Sequence, residues 1–352
     1  MLKPDERGAA MIHQYIDRRS RRPCTENLVA DHWVQLLYGP VREKAPALFK
    51  ALTSCRVTGW LGYLNFDLPF HRRRSVIRRL VRDLDIDLEE CLDAPEALTS
   101  ARKLFERRIQ YWRYRPMPGD PRAVVSPADA RVLVGSCDRT RQLFLKEKFF
   151  SLRELLGGPH RRWHRFFADG DLAVFRLTPD KYHYNHAPVA GRVVDFYAID
   201  GDCHSCNPSA VVTAVTPFSK NRRVVTVIDT DVPRGTRVGT VAMVEIVALM
   251  IGDIVQCYSA HEYDDPRAVA PGLFVRKGQP KSMYRPGSSV DVLFFQRGRV
   301  KFDADLLANN CRWDACSRFS SGFGRPLVET DVQVRSSIGR AATSSAATGE
   351  QF

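Results

Sequence analysis

The sequence has no run of about 18 or more uncharged apolar residues, the length that a bilayer-crossing helix needs. Its longest apolar stretch, Val238 to Val255, is interrupted by Glu245 and Asp253 and reads as two buried strands. The polar start Met1-Leu-Lys-Pro-Asp-Glu-Arg carries no apolar core, so no secretory leader is expected. Zinc-finger spacing and an aromatic RNA-binding signature are both missing, which argues against nucleic acid as a partner. Cysteine is sparse and odd in number, nine in 352 residues. That predicts free thiols in a reducing compartment and no disulfide framework. One Cys-x-x-Cys, Cys203 to Cys206, has no second pair, so packed thiols are expected there and no zinc.

What is present is globular: 44% of residues are hydrophobic and 26% charged. The length suits about two domains, or one large one with an appendage. Lys and Arg number 53 against 40 Asp and Glu, a net charge of +13. An excess of that sign suits an acidic partner, and composition alone does not choose between nucleic acid, an anionic membrane surface and a phosphorylated ligand.

Four regions are expected. Residues 1–30, with Arg18-Arg19-Ser20-Arg21-Arg22, read as a basic flexible arm. Residues 31–121 read as helical. Within them Val57 to Phe70 is rich in aromatics and is followed by His71-Arg72-Arg73-Arg74. That pattern fits a segment lying in a membrane interface, and equally a helical unit docked on the core with a solvated basic face. A helix is expected over 97–113, with Leu104, Phe105 and Ile109 on one side, and a proline-rich linker over 114–121. Residues 122–340 change texture. Short Val/Ile/Leu/Phe runs at 132–134, 172–177, 192–197, 223–228 and 290–295 alternate with turn residues and read as strands. A short helix is expected at Ser151 to Leu156, and 341–352 reads as a disordered tail. The fold class is therefore α+β, a helical amino-terminal region packed on a mainly β core. Ser126-Pro-Ala-Asp-Ala-Arg-Val132 and Ala187-Pro-Val-Ala-Gly-Arg-Val193 echo each other, by chance or as two related half-units.

Three places concentrate unusual residues. Asp129 stands in Ser126-Pro127-Ala128-Asp129, at a turn before a strand, where an aspartate more often caps its own backbone than catalyses. Tyr182-His183-Tyr184-Asn185-His186-Ala187-Pro188 sets two histidines three apart. They could be packed side chains, or a general base with a neighbouring binding group. No carboxylate or thiolate group nearby completes a zinc set. Arg285-Pro286-Gly287-Ser288-Ser289-Val290 reads as a turn entering a buried strand.

Taken in order, these three places resemble the phosphatidylserine decarboxylase family. Further segments are similar to that family's blocks: Phe105-Glu-Arg-Arg-Ile, Tyr114-Arg-Pro, Phe150-Ser-Leu-Arg-Glu-Leu-Leu-Gly157, Asn221-Arg-Arg-Val-Val, and Val244-Glu-Ile-Val-Ala248 with Gly252-Asp-Ile. The likeness runs colinearly from about residue 100 to 340.

The resemblance implies a proenzyme that cuts itself between Gly287 and Ser288, into a β chain of 1–287 and an α chain of 288–352. The Ser288 hydroxyl attacks the Gly287 carbonyl and an ester replaces the amide. Loss of the serine α-proton and β-elimination leave a dehydroalanine, which hydrolyses to a pyruvoyl group and ammonia. His186 is then the base, Asp129 orients its imidazole and Ser288 is the nucleophile, a Ser-His-Asp arrangement recognised by roles. The pyruvoyl ketone forms a Schiff base with phosphatidylserine and accepts electrons as CO2 leaves, giving phosphatidylethanolamine. His183 binds substrate and moves a proton. No pyridoxal phosphate and no metal are required. The two chains are expected to stay together, to form a homodimer of two-chain units, and to sit peripherally on the cytoplasmic face of a membrane.

The sequence departs from the family pattern at Ala130, where a glycine is usual, at Ser289, where threonine is commoner, and at Tyr184, where an arginine often follows the first histidine. Two other readings compete. One keeps the chemistry on a soluble amino acid. The other is a non-catalytic basic protein that binds membranes and stays uncut.

Overall fold

The computed structural model describes residues 12–54, 57, 66, 74–136, 149–158, 161–214, 216–249, 253–287 and 289–342. Its strands are β1 (Gln14–Asp17), β2 (Pro23–Thr25), β3 (Ala123–Val125), β4 (Ala130–Ser136), β5 (Asp171–Leu177), β6 (Tyr184–His186), β7 (Gly191–Ile199) and β8 (Arg223–Asp229). Then come β9 (Thr240–Val247), β10 (Ile254–Gln256), β11 (Phe274–Val275), β12 (Pro280–Tyr284), β13 (Ser289–Phe295), β14 (Val300–Phe302), β15 (Thr330–Val332) and β16 (Ser337–Ala341). Every strand expected from a β-branched run is present, as β4, β5, β7, β8 and β13. The Val238–Val255 stretch splits into β9 and β10 as expected.

Ten strands form one open sheet in the order β11-β7-β8-β9-β13-β5-β4-β15-β1-β2. All its pairs are antiparallel except β1 with β15. β13 is central, paired along its whole length with β9 on one side and β5 on the other. All seven of its residues are buried. Its side chains alternate between two cores, as the two-residue period of a strand requires. Val290, Val292 and Phe294 pack with Phe150, Leu155 and Phe167, beneath the short helices. Leu293 and Phe295 face the opposite layer, with Ala187, Val189 and Tyr284. That layer contains two three-stranded sheets, β10-β12-β6 and β14-β16-β3. A large sheet with short helices on one face, and two small sheets with the Ala304–Asn310 helix on the other, is an α+β architecture, as expected.

Three expectations change. Residues 14–25, read as part of a loose arm, instead form β1 and β2 at the edge of the large sheet. Arg18 of the basic run is not merely solvated, because it pairs with Asp303 at 2.9 Å and Asp305 at 2.7 Å. The helix expected over 97–113 is broken into Ala101–Phe105 and Tyr111–Tyr114, because Ile109 turns to bridge Cys91. Cys203 is disulfide-bonded to a partner outside the described residues, whereas Cys206 is a free buried thiol. Most of Val57–Phe70, His71 to Arg73 and the tail from 343 onward lie outside the described residues. Among the described residues, no helix is long and apolar enough to cross a membrane.

The two echoing segments touch. His186 N donates to Pro127 O at 2.7 Å, and Val125 N donates to Pro188 O at 3.0 Å. Each segment leads into a strand of the large sheet, β4 and β7. The exchange seats Asp129 and His186 in one layer.

Candidate active site

The Ser126–Ala130 turn is fixed from both ends. Ser126 Oγ donates to Ala128 O at 2.7 Å, and Ser126 N donates to Ser336 O at 2.8 Å. Asp129 is thereby buried, with Oδ1 accepting from Val334 N at 2.7 Å. Arg115 meets it through Nε at 3.0 Å and through Nη2 at 2.9 Å. The same guanidinium holds Glu90 at 2.7 and 2.8 Å. Burial opposes ionisation of Asp129, but the Arg115 charge and the Val334 N–H outweigh it and hold the carboxyl below its usual range. The segment read as a linker is therefore a buried clamp at Arg115.

The histidines are both fully buried and differ in what they touch. His186 Nδ1 lies 2.9 Å from Gly278 O, and its Nε2 lies 3.0 Å from Tyr182 Oη. A carbonyl can only accept, so Nδ1 carries the proton and the Tyr182 phenol donates to Nε2. Tyr182 Oη is in turn 2.8 Å from Tyr263 Oη. The orienting role expected of Asp129 thus falls to Gly278 O, and Asp129 makes no hydrogen bond to His186.

His183 Nδ1 lies 2.8 Å from Lys181 O, which fixes its proton there in the same way. Its Nε2 is buried and has no partner among the described residues. The Phe105 ring covers it at 3.6 Å between centroids. Desolvation by burial lowers both histidines to about 3, so both rings are neutral at ordinary pH. Nε2 of His183 then carries a lone pair with no partner among the described residues, in the neutral form that can accept a proton.

The strand register decides which histidine is nearer the cleavage motif. β6 pairs with β12, Tyr184 opposite Met283 and His186 opposite Pro280. Tyr284 N donates to His183 O at 3.0 Å. His183 therefore lies at the strand end that runs into Arg285-Pro286-Gly287, and His186 lies at the far end. Gly287 is buried with φ +142, a conformation that any side chain would strain. Ser288 lies outside the described residues. Ser289 is buried at the start of β13, and its Oγ has no partner among the described residues.

Beneath this loop lies a polar network absent from the sequence reading. Glu245, noted there only as an interruption in an apolar run, is fully buried. It accepts from Lys281 Nζ at 2.6 Å and Asn185 Nδ2 at 3.2 Å, and also from Ser282 Oγ. Asp291 stands opposite Glu245 across the β9–β13 pair. Tyr284 Oη donates to Asp291 Oδ1 at 2.7 Å. Burial, then the neighbouring Glu245 charge, raise Asp291 well above the carboxylate range, so it is a neutral acid, whereas Lys281 keeps Glu245 ionised.

An apolar cavity of about 340 Å³ reaches this loop, walled by Leu28, Trp33, Leu80, Phe105, Leu249 and Gly287. Trp33 is 69% exposed there and Val29 beside it 51%. Glu26 and Arg176 also line it, but each is committed to a buried ion-pair cluster: Arg176 holds Glu26 at 2.6 Å and Glu329 at 2.5 Å. Glu26 and Glu329, with His13, form a cluster of metal-type donors among the described residues. The Arg176 charge lies across its carboxylates.

The structure thus brings Gly287 and Phe105 together on the cavity wall and places His183 behind the Phe105 ring, at the strand end that runs toward Gly287. It holds His186 and Asp129 in the same layer, each with other partners. Arg176 was missed; Arg115 and Tyr182 stood inside the Tyr114-Arg-Pro and Tyr182–Pro188 segments without a role, and Glu245 showed only as a charge inside an otherwise apolar strand.

A model of the phosphatidylserine decarboxylase family matches residues 101–318. A phosphatidylserine decarboxylase proenzyme of Chlamydia trachomatis is 29% identical over 335 residues, covering 94% of this chain and 98% of the relative. One of Fusobacterium nucleatum is 26% identical over 297 residues, 84% of this chain and 91% of its own. One of Chlamydia muridarum is 32% identical over 240 residues, 68% and 73% of the two chains.

Proposed function

This chain belongs to the phosphatidylserine decarboxylase family, and we propose that it is a self-processing carboxy-lyase that removes the seryl carboxylate of phosphatidylserine as CO2 and leaves phosphatidylethanolamine. The observation that carries this is the colinear family match combined with one juxtaposition. Gly287 and Phe105 line one apolar cavity, and the Phe105 ring stacks on His183, whose Nε2 lone pair has no partner among the described residues.

The residues present fit a pyruvoyl group derived from Ser288. Gly287 has the positive φ that only glycine adopts without strain, and β13 holds the following residues rigidly between two neighbours. The group would supply an electron sink for the departing carboxylate. His183 Nε2 holds or returns the proton, fixed in its tautomer by Lys181 O. Phe105 and the cavity wall exclude water, which favours a step that discharges an anion. The cavity takes an acyl chain, and exposed Trp33 and Val29 beside it face the lipid surface. His186 and Asp129 belong to maturation. The family resemblance makes His186 the maturation base; for that role its Nε2 must exchange the Tyr182 phenol for the Ser288 hydroxyl, while Gly278 O sets its tautomer and Asp129 holds the 126–130 turn against Val334.

The mature form is read as two chains, 1–287 and 288–352, around a core of 122–340. Intact mass under denaturing conditions tests the cut. Fragments of about 32.5 and 7.4 kDa are expected, the shares of 39.9 kDa that 287 and 65 residues take. CO2 release from phosphatidylserine vesicles, and none from free serine, tests the substrate. A single uncut chain without activity would leave the non-catalytic reading. Release from the free amino acid alone would leave the soluble one.

A further inference from the structure

Arg107 is a buried cation with no ion-pair partner among the described residues; Asp129, Asp180 and Glu90 act on it only from a distance. It is 7% exposed and lies two residues beyond Phe105, the ring that covers His183. Its Nη1 donates to Leu104 O at 3.1 Å and its Nη2 to Asp180 O at 2.9 Å. No carboxylate comes within ion-pair distance of it among the described residues. Arg115 and Arg176, equally buried, each hold two carboxylates. Arg223 also lacks an acid, but three carbonyls surround it. A guanidinium has five N–H donors, so Arg107 has three to spare, in the planar fork that grips an oxyanion bidentately. Burying an unpaired charge is costly, and the cost is recovered when an anion arrives.

We propose that Arg107 is the phosphodiester-binding residue of this enzyme, gripping the phosphate of the phosphatidylserine headgroup beside His183. The inference rests on the function proposed above and adds to it the group by which the headgroup is held. Phosphatidylserine brings two anions, and the chemistry separates them. The carboxylate loses its charge as CO2 departs, so a cation upon it would stabilise the ground state and slow the step. The phosphodiester stays anionic throughout, so a guanidinium there binds ground and transition states alike. The bond to Asp180 O ties the guanidinium to the turn whose next carbonyl, Lys181 O, fixes the His183 tautomer. Arg107 is thus placed to orient the seryl end toward the reacting atoms.

The test uses the mature wild-type enzyme and two soluble probes, glycerophosphoserine and free serine, as competitors of phosphatidylserine turnover in mixed micelles. Glycerophosphoserine should inhibit roughly 10- to 100-fold more tightly than serine, the factor that a charge-assisted hydrogen-bonded pair gives. In Arg107→Gln that preference should vanish, KM for phosphatidylserine should rise by a similar factor, and kcat should change little. Arg107→Lys should restore part of it. Equal inhibition by the two probes in wild type would overturn the proposal even if the variants failed to fold. So would an Arg107→Gln enzyme that matures and keeps the wild-type preference for glycerophosphoserine. A wild-type enzyme with no activity on phosphatidylserine would instead reject the function itself.

Discussion

The Nδ1–H of His183 points at Lys181 O, 2.8 Å away, so the lone pair of this imidazole lies on Nε2, which has no partner among the described residues. His183→Gln removes the basic atom but keeps a polar side chain of similar reach. It should still yield the two fragments, while kcat for decarboxylation falls about 10²- to 10⁴-fold, the range for loss of a positioned acid or base. Fragment masses and CO2 release on the same preparation check this. An uncut His183→Gln chain would move this residue into maturation.

Arg115 separates Asp129 from Glu90. Replacing it with Met strands Asp129 as an unpaired buried carboxylate. Stability should drop by about 3–5 kcal/mol, as when one partner of a buried ion pair is removed. Maturation should slow with it, because the 126–130 turn loses its clamp. Urea denaturation and the fraction of uncut chain measure the two effects.

Glu245 and Asp291 face each other but differ in charge. Asp291→Asn exchanges a neutral acid for a neutral amide and should change stability by less than about 1 kcal/mol. Glu245→Gln leaves the Lys281 ammonium buried without a counter-ion and should cost about 3–5 kcal/mol. Equal losses in the two variants would show that Asp291 is ionised.

The two active-site histidines make stability depend on pH with a definite sign. Folded, they titrate at about 3; the ordinary value is 6.5. Between those values the unfolded chain binds protons that the folded chain does not, so stability falls as pH falls below 6.5. The slope is at most about 1.4 kcal/mol per pH unit for each histidine. The urea midpoint should be lower at pH 5 than at pH 7.5, and the gap should narrow in His183→Asn. An unchanged midpoint would mean that the rings are charged in the fold.

The β core was legible because each strand carried a run of β-branched and aromatic residues between turn signals. Those runs fix burial on a sheet whatever their neighbours. The histidine pair and the Gly287-Ser288 turn were legible as residue types in order, but their wiring was not. The choice of Gly278 O over Asp129 as partner of His186 depends on strand register between segments about ninety residues apart. The amino-terminal strands β1 and β2 were misread for a related reason. Gln14–Asp17 is polar by sequence and gains its place by pairing with β15, more than three hundred residues away. The break at Ile109 likewise follows from its bridge to Cys91, which outweighs the local helical pattern.

β13 begins one residue beyond the proposed cut and is held on both edges, by β9 and by β5. Those neighbours precede it in the chain, so during synthesis the sheet stays open in its middle until Phe295 has emerged. If the chain is cut where we propose, the segment from Ser289 would remain seated between β9 and β5 by strand pairing alone, and a chain that misassembles the middle of the sheet is expected to stay uncut and inert.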